Sequence, residues 1–181
     1  MTLGSLVSEL VDERSLDALE RLTGSRNEEV LEALIEAAGR ILADDRSEEV
    51  DDDIVERIRD HLVDSRAVGP LTDALSGSPP EAIEFALGCL SEIGDLDAVP
   101  PMIAILEGRD PQLREAAAEH LALLTKYDFG QDAKRWREWQ QRRIRGLAEQ
   151  AEEDREDEAR LLNLKLRGQN EDADRREGPY R

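Results

Sequence analysis

Two histidines, one cysteine and one acidic run are the residues of this chain whose types lend themselves to chemistry. His61 and His120 are its only imidazoles, and metal or nucleophilic use of an imidazole requires further ligands or partners converging on it. Neither has a second His or a Cys at ligand spacing. Cys89 lies among Phe85, Leu87 and Leu90 in a helical pattern, which reads as a small buried hydrophobe rather than a reactive thiol, and a lone cysteine forms no internal disulfide. The run DDRSEEVDDD, residues 44–53, offers carboxylates to a cation. Carboxylates before and within the first turn of a helix are favoured by its dipole, however, and loops of this composition are usually just solvated. The reading is of a chain with no catalytic residues, no metal and no cofactor.

Composition says which elements must carry whatever function remains. Aromatic residues make up 3% of the 181 positions and the apolar mass is aliphatic, which suits helix packed on helix. The formal net charge is -19, and the acids are unevenly placed: residues 1–130 hold 30 acids and 11 bases, whereas 131–149 hold 3 and 6. Such a body repels phosphate backbones and anionic membranes and attracts basic partners. Only Lys126, Lys134 and Lys165 are lysine. Arginine bias with carboxylate excess fits a protein adapted to a high-salt cytoplasm, and equally GC-rich coding with ordinary acidity. The start, MTLGSLVSELVDERS, has no signal-peptide pattern and no segment approaches 18 apolar residues, so a reducing cytoplasm is expected.

The chain repeats itself. A shift of 31 superposes AVGPLTDALSGSPPEAIEFALGCLSEI on AVPPMIAILEGRDPQLREAAAEHLALL, and a shift of 52 superposes ELVDERSLDALERL on HLVDSRAVGPLTDA. The two shifts agree on three copies of one helix pair. First helices fall at 15–23, 67–76 and 96–107, and second helices begin at Asn27, Pro79 and Asp110. The first two copies carry an additional leading helix, at 3–12 and about 51–63. Second helices bury Leu31, Leu34, Ile35, Ala38 and Ile41 in one copy, and Leu113, Ala116, Ala117, Leu121 and Leu124 in another, a stripe with a 3.6-residue period.

The stretch GDLDAVPPMIAILEGRDPQLREAAAEHLALL, 94–124, resembles a HEAT repeat of the short prokaryotic type related to phycobilin-lyase repeats. The copies with an extra helix look more like armadillo units. This resemblance, over residues 1–130, implies an all-α, right-handed α-α superhelix of about three repeats. It also implies that Asp110 caps the second helix and that Arg114 packs toward the neighbouring repeat. The earlier copies have Asn27 and Pro79 for the Asp, and Leu31 and Ile83 for the Arg. Some HEAT-like proteins are enzymes, among them hydroxylases that hold iron with His-Glu pairs; this sequence has no His-Glu dipeptide. Repeat similarity alone carries no activity.

Residues 131–151 read as a capping helix, since Phe-Gly-x-Asp followed by Trp136 and Trp139 resembles the end of small HEAT-like proteins and a solenoid's last apolar face must be covered. Its stripe would be Trp136, Ile144, Leu147, Ala148 and Ala151. The same helix carries Lys134, Arg135, Arg137, Arg142, Arg143 and Arg145, read as charge pairing on a packed helix, with nucleic-acid contact as the alternative. Residues 152–181 read as a charged, partly disordered tail. Its Leu161, Leu162, Leu164 and Leu166 form a docking motif for another protein or a second copy, or fold back on the chain's own body.

The repeat alignment places Glu32, Glu84 and Glu115 at one position of the second helices, and Glu36 and Glu119 at another. In HEAT-like solenoids second helices line the concave surface. An acidic ladder there, with Phe85 as an apolar anchor, is the expected binding face for a basic or amphipathic segment of another protein. The function read from the sequence is therefore a cytoplasmic, non-catalytic interaction scaffold. A lyase-like enzyme and a nucleic-acid-associated module are the alternatives.

Overall fold

Helix starts along this chain coincide with side chains that accept hydrogen bonds from the otherwise unpaired amides of a first turn. Thr2 Oγ1 accepts from Ser5 N at 3.3 Å, Ser15 Oγ from Ala18 N at 3.3 Å, Asn27 Oδ1 from Glu29 N at 2.9 Å and Asp110 Oδ1 from Gln112 N at 2.9 Å. In the computed structural model, which describes residues 2–44 and 49–176, the helices that follow are α1 (Leu3–Glu13), α2 (Leu16–Thr23), α3 (Glu28–Leu42), α4 (Glu49–Asp64) and α5 (Val68–Ala74). Then come α6 (Pro80–Ile93), α7 (Val99–Leu106) after a 3-10 turn at Leu96–Ala98, α8 (Pro111–Thr125) and α9 (Ala133–Arg176). Where Pro79 stands in place of Asn27, no side-chain cap bond forms, and Pro80 opens the helix because it needs no amide partner. The described residues contain no strand, so the chain is all-α, and no described helix is long and apolar enough to cross a membrane.

The repeated sequence produces repeated backbone. Arg14 and Arg66, aligned by the shift of 52, both adopt a left-handed conformation, at φ 54° and 50°, and each ends the leading helix of its copy. α3 packs on α6, and α6 packs on α8, so the second helices lie side by side in chain order. α5 bridges α3 and α6; α4 does the same and also reaches α2. The α3–α6 crossing is close enough to require glycine: a Cβ on Gly39 would lie 2.5 Å from Ala82 Cβ and 3.0 Å from its Cα. Between the helices, Leu10, Leu19, Leu34, Ile54, Ile58, Leu71, Leu87 and Leu90 are fully buried. Ala117, Leu121 and Leu124 of α8 are buried as the stripe requires, while Leu113 and Ala116 stay half-buried.

The chain falls into two units, Met1–Arg137 and Glu138–Arg181. All the packing above belongs to the first. It includes Trp136, which is completely buried, donates from Nε1 to the Gly130 carbonyl at 2.9 Å, and meets Phe129 edge to face at 4.8 Å. The expected boundary between a capping helix ending at 151 and a tail is not marked by any break. α9 continues for 44 residues, because Glu, Arg, Ala, Leu and Lys are all good helix formers and no Pro interrupts them. The expected stripe on this helix is corrected as well: Trp136 is buried and Trp139 half-buried, but Ile144 and Leu147 are 54% and 56% exposed and Ala148 and Ala151 are exposed. Apolar spacing on a helix defines the side it can bury, not whether anything lies against that side. Leu161, Leu162, Leu164 and Leu166 lie on the helical backbone of α9, but their side chains lie outside the described residues, as do residues 177–181.

Candidate binding surface

The groups that suggested chemistry are used to hold helices together. His61, on α4, points Nε2 at the Ser25 carbonyl, 3.0 Å away; a carbonyl only accepts, so Nε2 carries the proton and ties α4 to the turn before α3. Ser91 gives its hydroxyl hydrogen to the Gly88 carbonyl at 2.8 Å, so its oxygen is left to accept from Nδ1 of His120 at 3.0 Å, joining α6 to α8. Burial holds the His120 pKa below the ordinary histidine value, against the pull of Glu119 and Glu84. Cys89 is fully buried, and that burial pushes its thiol up to about 12, so it packs as a hydrophobe.

Part of the acidic run has a structural partner that sequence reasoning missed. Arg14 donates Nε to Asp51 Oδ1, and its Nη2 lies 3.2 Å from both Asp51 Oδ2 and Asp44 Oδ2. Asp51 is 7% exposed, so α1, the end of α3 and the start of α4 meet at one guanidinium whose charged form these carboxylates stabilise. Residues 45–48 of the run lie outside the described residues. Among the described residues no group of three or more His, Cys, Asp or Glu is placed to hold a metal ion.

The ladder carboxylates Glu32, Glu36, Glu84, Glu115 and Glu119 are all exposed, on the α3, α6 and α8 positions that the repeat alignment makes equivalent. Glu32 and Glu84 line different clefts. Glu32 and Glu36 rim a cleft of about 440 Å³ between α3 and α5, where Asp73 of α5 and Arg40 join them. Its floor is apolar: Ile35, Pro70, Ala74, Pro79 and Ala82. Glu84 lies instead in a second cleft of about 430 Å³, with Arg59 of α4 and His120 of α8 facing each other across Gly88. Asp73 carries no repeat signature, which is why alignment alone did not find it.

Phe85 is corrected from exposed anchor to core residue. It is 3% exposed, and the Arg59 guanidinium sits 5.6 Å from its ring centroid. The position matches Ala33 and Ala116 in the alignment, but a larger side chain one step from Glu84 turns inward to bury its area.

The cap residues are placed as follows. Asp110 caps α8 with two bonds, to Gln112 N and Leu113 N. Arg114 bonds to the Gly108 and Arg109 carbonyls at 3.2 and 3.4 Å and to Gln131 Oε1 at 3.3 Å. It therefore closes its own hairpin turn and holds the segment that follows, rather than reaching back to the preceding copy. Of the basic helix, Arg135 lies over Phe129 at 4.8 Å and Arg137 pairs with Glu107, whose carboxyl is held below its ordinary range by that bond. A base-stacking platform needs an exposed ring, and Trp136 presents none. No family model matches this chain, and no curated protein or solved structure is significantly similar to it.

Proposed function

We propose that this chain is a small HEAT- or armadillo-like scaffold, acting in the cytoplasm without catalysis or cofactor, that holds a basic or amphipathic segment of another protein. The observation that carries this reading is the cleft between α3 and α5. Glu32, Glu36 and Asp73 outnumber Arg40, which pairs with Asp12, around an apolar lining, an arrangement that suits the aliphatic stem and cationic head of an arginine or lysine. A body with 30 acids against 11 bases over residues 1–130 adds long-range attraction for such a segment. Support for a stack of related helices comes from the order α3, α6, α8 in the packing and from the matched helix ends at Arg14 and Arg66. A buried free thiol at Cys89 suits a reducing compartment.

The test is a titration of the full chain with a fluorescent arginine-rich amphipathic peptide at low salt, followed by anisotropy. Replacing Glu32, Glu36 and Asp73 by Gln, Gln and Asn is expected to weaken binding about tenfold or more, the scale of a few lost charge contacts. Unchanged binding in that variant, with loss in one changed at Glu84, Glu115 and Glu119, would move the site to α6 and α8. Unchanged binding in both variants removes the acidic surface as a recognition site.

A further inference from the structure

Helix α9 carries an apolar stripe exposed to solvent. Ile144, Leu147, Ala148 and Ala151 are spaced i, i+3, i+4, i+7, so they lie along one side of the helix. All four are exposed in the folded chain, Ile144 and Leu147 by more than half. The charges around them change sign at the middle of this stripe. On its amino-terminal side Arg142, Arg143 and Arg145 come with no acid between 139 and 148, and on its carboxy-terminal side residues 149–158 hold seven acids and one base.

At 100° per residue, Arg145 and Glu152 fall on the same flank of the stripe. A twofold axis perpendicular to the helix, passing between Ala148 and Glu149, brings like flanks together. Arg145 of one copy then faces Glu152 of the other, and the pair recurs by symmetry. A parallel pairing stacks arginine on arginine and carboxylate on carboxylate, which costs binding energy.

We propose that α9 mediates an antiparallel homodimer, with Ile144, Leu147, Ala148 and Ala151 at the crossing and the basic half of each helix laid on the acidic half of its mate. The occupant is a second copy because one helix supplies both complementary halves in the order that twofold symmetry demands. This inference does not depend on the cleft between α3 and α5.

Sedimentation and light scattering on the full chain, over about 1–100 μM at low salt, should give twice the 20.3 kDa of one chain, a range in which moderate helix-pair affinities are read. Changing Ile144 and Leu147 to Ser should raise the dimer dissociation constant about tenfold or more, with helicity by circular dichroism retained. R145E and E152R should each dissociate. Equimolar mixing of these two variants should restore a dimer, and so should both changes in one chain. A mass of 20.3 kDa throughout the range overturns the proposal. So does a dimer indifferent to these changes, or one that the charge-reversed variants lose and mixing does not restore.

Discussion

Arg14 draws two carboxylates from other elements to one guanidinium. Its guanidinium serves Asp51 and Asp44 and also donates to the Val11 carbonyl, and Asp51 is buried beside it. Arg14→Met would leave that carboxylate desolvated without a partner, a loss of about 2–3 kcal/mol, below the full range for deeply buried pairs because both side chains keep some solvent contact. Chemical denaturation measures it. Adding Asp51→Leu should recover part of the loss, since the orphaned charge goes with it; a double variant as unstable as the sum of the single ones would mean the pair does not couple. Sequence reading placed the acids of 44–53 in solvent because the partner of Asp44 and Asp51 caps the end of α1, 30 and 37 residues earlier. No local pattern connects them. The partner of His120 is likewise non-local, a hydroxyl on the neighbouring helix.

Among the elements, helix starts were the most legible, because caps and first-turn prolines are local chemistry; the first expected helix pair is not a packed hairpin, since α2 and α3 each lie against α1. Asn27, Pro79 and Asp110 all precede helices as expected, and the leading helices appear as α1 and α4. Helix α9 was less so. Trp136 was expected in the cap and is its anchor: a fully buried indole with a bonded Nε1 and an edge-to-face contact. Trp136→Ala should cost about 3–5 kcal/mol, read as a lowered melting temperature of the full chain. Trp136→Phe should cost less, because much of the area is kept, although part of it and the bond to Gly130 are lost. Equal losses in the two variants would assign the stability to that bond rather than to packing. The rest of the expected stripe failed as a buried face, since spacing cannot say whether a covering surface exists.

At the scale of the molecule, a net charge of -19 over 181 residues means self-repulsion is part of the folding balance. Raising KCl from about 0.05 to 1 M shortens the screening length from more than ten ångströms to about 3 Å. It should therefore raise the melting temperature by several degrees, even as surface pairs such as Arg137 with Glu107 weaken. Calorimetry across that series is the check, and a falling melting temperature would show that attractive pairs outweigh repulsion. What the sequence by itself determined is the helical class, the helix starts and the sign of the surface. Each of these follows from short-range periodicity, from capping, or from a sum over residues. Only the tertiary structure decided that Glu32 and Glu36 meet Asp73 in one cleft while Glu84 meets Arg59 and His120 in another, and that Phe85 turns inward. Those outcomes depend on how α4 and α5 lie against α3 and α6, with Gly39 and Ala82 at the contact, a packing geometry that repeat periodicity does not contain.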